Sequence, residues 1–444
     1  MEDDLSLADD LLAAAKRAGA EAADALVISA ISNVVGVSGG QFEEAERAEG
    51  TDLGLRVLMG QRQACVSTSD RRPASLEEMA VRAVAMANAA PEDPWCGLAD
   101  DPDAAPDPGP LDLADPAQPP APSTLESTAL DAEAAALEID GVTQVEQASA
   151  SWGQDRITLA ASNGFSGSYA RTRSGVWVSA IAGEGLGRER DYAGESRAYW
   201  SDLPPVAEIG ARAARRAVER LGPRKPPGGK VPVLFDERVA SSLIGHVLSA
   251  INGSAIARGS SWLRDRMDAQ IFPKGFDVNE DSLIPRGSAS RPFDAEGFAA
   301  RAKALVQDGV LQSWVLDLAT ARQLGLKTTG NARRGVAAPP SPGTANIRVT
   351  EGAATRNDLI RQMDTGLLIT SMIGASISPT TGAYSRGASG FWVEGGEIAY
   401  PVNEITVAGS LSEMIVSVIP ANDADPHRAV SVPSLLVEGL TVGA

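Results

Sequence analysis

Histidine and cysteine are nearly missing from this 444-residue sequence, which holds two of each: His246 and His427, Cys65 and Cys96. Two cysteines cannot build a disulfide framework, and a reducing cytoplasm is the expected compartment. Basic charge is also short. Lys and Arg number 39 against 58 Asp and Glu, giving a formal charge of −19. Nucleic-acid binding draws most of its affinity from Lys and Arg on phosphates, so no nucleic-acid partner is expected. No run of about 18 apolar residues occurs, so no helix is expected to span a membrane. The acidic start Met1-Glu2-Asp3-Asp4 lacks the basic-then-apolar order of a signal peptide. Hydrophobic residues still make up 43% and charged residues 22%, close to the globular average, which excludes a largely disordered chain. The length allows about two to three domains.

The same scarcity removes most catalytic chemistry. Zinc catalysis needs about three protein ligands, usually including a pair held on one helix. Neither histidine sits in H-E-x-x-H, and the cysteines are not at C-x-x-C spacing. No G-x-S-x-G elbow occurs; Gly164-Phe165-Ser166-Gly167 and Gly387-Ala388-Ser389-Gly390 only approach it. None of the six lysines lies three residues after a serine, and there is no Walker A sequence. Gly183, Gly185 and Gly187 have the wrong spacing for a dinucleotide fingerprint. Arg212, Arg215, Arg216 and Arg220 recur at helical spacing and read as a solvated helix face. Arg333-Arg334 is too short for a nucleic-acid patch.

What is present reads as α+β. Leu5, Ala8, Leu11, Leu12 and Ala15 recur as on an amphipathic helix. Leu53, Leu55, Val57 and Met59 share one face of a strand, with Ala64–Thr68 as a hairpin partner. Ser75 with Glu78 and Ser123 with Glu126 suggest two helix-opening capping boxes. Between them, residues 91–124 hold ten of the 28 prolines and eight acidic residues without one Lys or Arg. Such a stretch is expected as an exposed connector. Alternating segments at Arg156–Ala160, Gly167–Arg171 and Gly175–Ala180 follow, then a helix over Val206–Leu221 stopped by Gly222-Pro223. A strand Val231–Phe235 and a helix from Asp236 to about Ile251 open the last region. It closes with the apolar runs Leu367–Ile373, Phe391–Glu394, Glu397–Tyr400, Ile405–Ala408 and Met414–Ile419. Gly395-Gly396 suggests a tight hairpin. Strands outnumber helices without alternating one for one, so antiparallel sheets with packed helices are favoured over a doubly wound fold. The expected division is an N-terminal α+β domain 1–90, the linker 91–124, a middle α+β domain 125–222 and a larger strand-rich domain 223–444.

One late segment stands apart: Tyr384-Ser385-Arg386-Gly387-Ala388-Ser389-Gly390-Phe391-Trp392-Val393-Glu394. Its glycines permit close approach of another chain or a ligand, or mark a tight corner feeding a core strand. Continued through Tyr400–Gly409, it resembles the late signature of the TldD/PmbA family. Gly54-Leu55-Arg56-Val57 and the Ser162-Asn163-Gly164 turn resemble the same family, and the likeness runs in order over nearly the whole chain. The segment and the chain length are most similar to the PmbA branch, also called TldE. The resemblance implies an α+β fold and a heterodimer with a homologous TldD-like catalytic subunit. It also implies a zinc peptidase activity, carried by the complex, on unfolded or flexible peptides. Historical names call the family a modulator of DNA gyrase. Its processes include maturation of a peptide antibiotic precursor and degradation of an antitoxin.

The catalytic branch carries H-E-x-x-x-H on a helix and a late cysteine ligand. The equivalent helix here reads Ser241-Ser242-Leu243-Ile244-Gly245-His246, and both cysteines lie before residue 97. Serine is a poor zinc ligand, and without the glutamate nothing evident activates a bound water. The resemblance therefore implies no catalytic residue and no metal in this chain. Ser241, Ser242 and His246 are then a degenerate motif, with zinc expected in the partner. Ser385, Arg386, Gly387, Ala388, Ser389 and Gly390 form a family signature of unassigned role. Two other readings stay open: a stand-alone hydrolase with an unrecognised site, and a peptide-binding module without a peptidase role.

Overall fold

The computed structural model describes residues 2–100, 102 and 104–443, and every count below refers to these. Met1, at the acidic start, Asp101 and Asp103, in the proline-rich connector, and Ala444 lie outside the described residues.

The first half of the chain builds one antiparallel sheet. Helix α1 (Glu2–Arg17) leads into strands β1 (Ala22–Ser38), β2 (Gln41–Met59) and β3 (Arg62–Thr68), then helix α2 (Pro73–Ala89). After the connector come α3 (Pro122–Leu137), β4 (Val142–Ala161), β5 (Ser166–Ala182), β6 (Glu189–Arg197) and α4 (Val206–Glu219). The strand order is β3-β2-β1-β4-β5-β6. β1 pairs with β4 from Asp24 opposite Ala161 to Val37 opposite Ala148, so the sheet runs unbroken across the proline-rich segment.

Strand periodicity divides the work of the two faces. Ala23, Ala25 and Val27 pack with Leu53, Leu55 and Val57 beneath α1 and α2. Val35 and Val37 pack beneath α3 and α4. The alternate residues Asp24, Leu26 and Ile28 point to the opposite face, where the last region of the chain docks.

Both helices expected to open on capping boxes start earlier. Pro73 and Pro122 occupy the first turns, and neither N-cap makes a side-chain bond. Proline has its φ preset and no N–H to satisfy, so it opens a helix without help. Ser75 Oγ instead donates to Asp70 at 2.7 Å.

The connector is mostly exposed but not free. Ala99, Leu111 and Leu113 are buried. The Leu113 carbonyl accepts from Thr172 N at 3.0 Å and the Leu111 carbonyl from Arg286 N at 2.8 Å. Arg322 donates to the carbonyls of Cys96 and Leu98 at 3.2 and 2.9 Å.

The last region contains β7 (Gly229–Phe235), α5 (Glu237–Ala250), α6 (Gly253–Ala257), β8 (Val278–Asp281), β9 (Lys303–Gln307) and β10 (Val310–Leu311). Next come α7 (Leu318–Leu324), β11 (Ala332–Arg333), β12 (Ser341–Pro342), β13 (Asn346–Val349) and α8 (Arg356–Met363). The chain ends with β14 (Gly366–Ile377), β15 (Ala383–Glu394), β16 (Glu397–Ser410), α9 (Leu411–Ile415), β17 (Ile419–Pro420), β18 (Val430–Ser431) and β19 (Leu435–Gly443). A sheet of order β16-β15-β14-β7-β19-β17 closes on itself through pairing of β16 with β19, giving a barrel-like body. A smaller sheet of order β10-β9-β8-β13-β18 packs into the same core. Gly395 and Gly396, at φ +60° and +76°, make the expected tight hairpin.

Two local readings change. Glu397–Tyr400 and Ile405–Ala408 belong to one strand, β16, irregular at Glu404 with φ +50°. Met414–Ile419 is not one element: Met414 and Ile415 end α9, Ile419 opens β17, and Leu411, Met414, Ile415 and Val418 are buried at helical spacing. The α4 arginines also differ from a solvated face. Arg220 pairs with Glu189 and Asp191 at 3.5 and 3.4 Å, Arg216 with Glu237 at 4.0 Å, and Arg212 with Glu195. Only Arg215 of the four is exposed. Among the described residues no helix is long and apolar enough to cross a membrane.

One of the contacts between the two halves is a buried carboxylate on β1. Asp24 accepts from Arg56 Nε at 2.7 Å across the β1–β2 ladder and pairs on its other oxygen with Arg334, 310 residues later. All three side chains are at most 4% exposed. Burial pushes the Asp24 carboxyl up, and the two guanidiniums reverse this and hold it below its ordinary value. Asp24→Asn leaves two buried cations short of their charge partner. It should cost about 3–5 kcal/mol in chemical denaturation; a loss under about 1 kcal/mol would show that water reaches the triad.

Candidate functional site

Helix α5 is held by its apolar stripe Ala240, Leu243, Ile244, Val247 and Ala250 and capped by Asp236, whose side chain accepts from Arg238 N at 3.2 Å. Ser241, Ser242, Gly245 and His246 lie on its half-buried flank. Ser242 Oγ donates back to the Val239 carbonyl at 2.7 Å and sits 3.6 Å from Met372 Sδ of β14. His246 meets Tyr384 of β15 edge to face, centroids 5.8 Å apart. Its Nε2 is buried without a hydrogen-bond partner. Burial, and then the charge of Arg386, push the imidazole below its ordinary pKa, so it is neutral at pH 7. Burial pushes the Tyr384 phenol up.

This donor set does not suit zinc. One imidazole, two hydroxyls and a nearby guanidinium offer a dication weak ligands and like charge. Among the described residues no group of three or more His, Cys, Asp or Glu is arranged to hold a metal. Both cysteines are free thiols pushed up by burial, Cys65 on β3 and Cys96 in the connector, so neither is a ready thiolate. His427 lies in the loop after β17, lining a groove with Trp177 and Arg428, apart from α5.

The late signature is brought together on β15, and most of it answers to packing. A Cβ on Gly390 would lie 1.9 Å from the Leu368 carbonyl, and one on Gly387 2.7 Å from Ile373. The close approach is thus that of the neighbouring strand β14. Ala388 is buried in the barrel core. Ser389 Oγ accepts from Arg220 at 3.0 Å, and Arg386 Nε donates to the Gly374 carbonyl at 2.7 Å. Ser385, opposite Ser376, is half-buried.

A second group of perturbed side chains was not visible in the sequence, where 58 carboxylates left no basis for choosing a pair. Asp294 and Glu296 follow each other in the loop after β8. Burial, then the charges of Asp294 and Asp317, push Glu296 up to about 8. Burial pushes Asp294 up as well. Glu296 Oε2 accepts from Leu318 N at 2.8 Å, at the start of α7.

Models of the PmbA/TldA metallopeptidase match three stretches: domain 1 over residues 23–87, the central domain over 115–221 and the C-terminal domain over 228–444. The chain belongs to the PmbA/TldD family. It is 35% identical over 437 residues to Metalloprotease PmbA of Escherichia coli O157:H7, covering 97% of this chain and 93% of that one. A Metalloprotease TldD homolog from Haemophilus influenzae is 25% identical over 249 residues, 52% of each chain. Among solved structures, a Bacteroides thetaiotaomicron protein carrying the modulator-of-DNA-gyrase name superposes with TM-score 0.88 at 24% identity, covering 100% of this chain and 99% of that one. TldE from Thermococcus kodakarensis superposes with TM-score 0.86 at 17% identity, over 98% and 99% of the two chains. At these identities the two structures establish the α+β PmbA/TldD fold.

If the signature glycines serve packing, Gly390→Ala should cost at least about 2 kcal/mol by forcing strands apart. Ser385→Ala should stay within about 0.5 kcal/mol. Equal effects in thermal denaturation would contradict this division. Glu296 carries a pH signature. Its folded pKa lies above its ordinary 4.5, so the folded state holds a proton that the unfolded state releases. Its contribution is full below about pH 4.5 and is lost as pH rises to about 8, at no more than about 1.4 kcal/mol per pH unit. Glu296→Gln should flatten that slope; an unchanged slope in melting curves from pH 5 to 9 would refute the assignment.

Proposed function

We propose that this chain is the non-catalytic, PmbA/TldE-type subunit of a heterodimeric zinc metallopeptidase that acts on unfolded or flexible peptides in the cytoplasm. The observation that carries the reading is the flank of α5. By the resemblance to the catalytic branch, Ser241 and Ser242 stand where a ligand and the general base belong, and the charge of Arg386 bears on His246. A zinc-bound water needs both a ligand set and a base to be activated and aimed. Neither can be assembled from these side chains. Zinc and base would come from a TldD-like partner, and a TldD homologue of half-chain similarity is consistent with a related pair of subunits.

This chain would then supply walls and positioning for the substrate. A half-enclosed site admits extended chains, and main-chain hydrogen bonding gives affinity with little sequence preference.

The test is co-purification with the TldD-like homologue from the same organism, followed by zinc analysis and a peptidase assay on an unfolded substrate. The separate chain should hold no stoichiometric zinc and cleave nothing, and the mixture should cleave. His246→Ala should leave the activity of the pair within about twofold, since a neutral, packed imidazole adds little to the transition state. Either histidine of the partner motif should be indispensable. A loss on His246→Ala as large as that of a partner ligand would make α5 catalytic and end this reading.

A further inference from the structure

On the sheet face opposite α1–α4, a cavity of about 270 Å³ lies beneath the loops that carry residues 289–295 and 332–334. Its floor is apolar: Leu26 and Ile28 of β1, Ile157 and Leu159 of β4. Around this floor stand four guanidiniums: Arg334, held by Asp24, and three others, Arg171 from β5, Arg291 from the loop after β8 and Arg333 from β11.

None of the three has a carboxylate partner among the described residues, in a chain with 58 carboxylates and a net charge of −19. Arg171 donates to the Ser288 carbonyl. Arg291 is only 6% exposed and donates through Nη1 to the Ala332 carbonyl at 3.2 Å. Its Nε and Nη2 are buried without a hydrogen-bond partner. The single acid of the lining, Asp294, feels the charge of Arg291, but its oxygens accept from the amides of Ala332, Glu296 and Phe298 at 2.9–3.0 Å rather than from a guanidinium. Arg333 stands at the exposed rim, where partial burial, and then the charge of Arg291, hold its guanidinium below its ordinary value. Buried donors are satisfied in folded proteins, and each exception asks for a missing ligand or water. Four guanidiniums around one apolar floor, three of them without a paired carboxylate, ask for an anion.

We propose that this cavity binds a carboxylate borne on an apolar body, namely the free C-terminal carboxylate of a peptide ending in an aliphatic residue. Guanidinium forks match the planar carboxylate, and the floor takes the terminal side chain. That the ligand is a peptide rests on the peptidase reading above; that it is an apolar carboxylate rests on the cavity alone.

The test is equilibrium binding to the full chain without any partner, using N-acetylleucine, N-acetylleucinamide and octanoate as probes. The acid should bind at least tenfold tighter than the amide, about the value of one charge-assisted hydrogen bond. Arg171→Gln and Arg333→Gln should each weaken the acid about tenfold and leave the amide unchanged. Arg291→Met should abolish acid binding while raising the melting temperature of the free chain, because it removes a buried, unpartnered cation; a purely structural arginine would lower it. Equal binding of acid and amide, or no binding of the acid at millimolar concentration, would overturn the site. Octanoate binding tighter than N-acetylleucine would overturn the peptide assignment. Failure of the peptidase assay with the partner would leave all these measurements standing.

Discussion

The halves of this chain are fixed to each other by a carboxylate that cannot be reached by water. Asp24 receives one guanidinium along the sheet, from Arg56, and another across the junction, from Arg334. Taking three charges out of water costs more than a single ion pair returns, so apolar residues of matching shape could stabilise the junction as well. What they could not do is fix its register. A carboxylate held by two forks accepts one geometry, and a shift of one residue along β1 would turn Asp24 to the helix-covered face. The same register sets Leu26 and Ile28 beneath the C-terminal loops and brings Gly54 so near Val336 that a Cβ there would lie 2.3 Å from its carbonyl.

A second ionic layer ties the helices to the barrel. Asp191 of β6 accepts from Arg238 of α5 and from Arg220 of α4, and Arg220 also reaches Ser389 on β15. Asp191, Arg238 and Arg220 are largely buried, so their contacts resist screening in a way that exposed pairs such as Arg47 with Glu49 do not. The signature strand β15, helix α5 and the end of helix α4 therefore share one polar network.

Much of the fold was legible because it follows period. Leu53, Leu55 and Val57 alternate as a half-buried strand must, α5 carries its apolar residues at helical spacing, and Gly395-Gly396 supplies the left-handed pair a tight hairpin requires. Misreadings arose where local chemistry had two solutions. Ser-x-x-Glu after a proline looks like a cap, yet the proline opens the helix without it. Met414–Ile419 is too short an apolar run for period to separate strand from helix. Arginines spaced along α4 look solvated until β6 supplies carboxylates, and pairings over long sequence separations leave no local trace. The same blindness hid the Arg171, Arg291 and Arg333 cavity. Each arginine alone is ordinary; the signal lies in their convergence on one apolar floor without a paired carboxylate, which only the fold displays.

The flank of α5 shows how a helix persists while the groups on one side change. The apolar stripe of Ala240, Leu243, Ile244, Val247 and Ala250 alone suffices to seat it in the barrel. The flank is therefore free to vary, provided that its polar atoms are satisfied or tolerable. Ser242 meets this by bonding its own turn, which asks nothing of a neighbour. His246 meets it by staying neutral against Tyr384, since a protonated ring beside Arg386 would set two cations together in a half-buried site. On the proposed reading, the positions that elsewhere aim a water at a peptide bond are here closed by Met372 and Tyr384. On that reading the helix would act as a wall, with the reacting centre supplied by another chain.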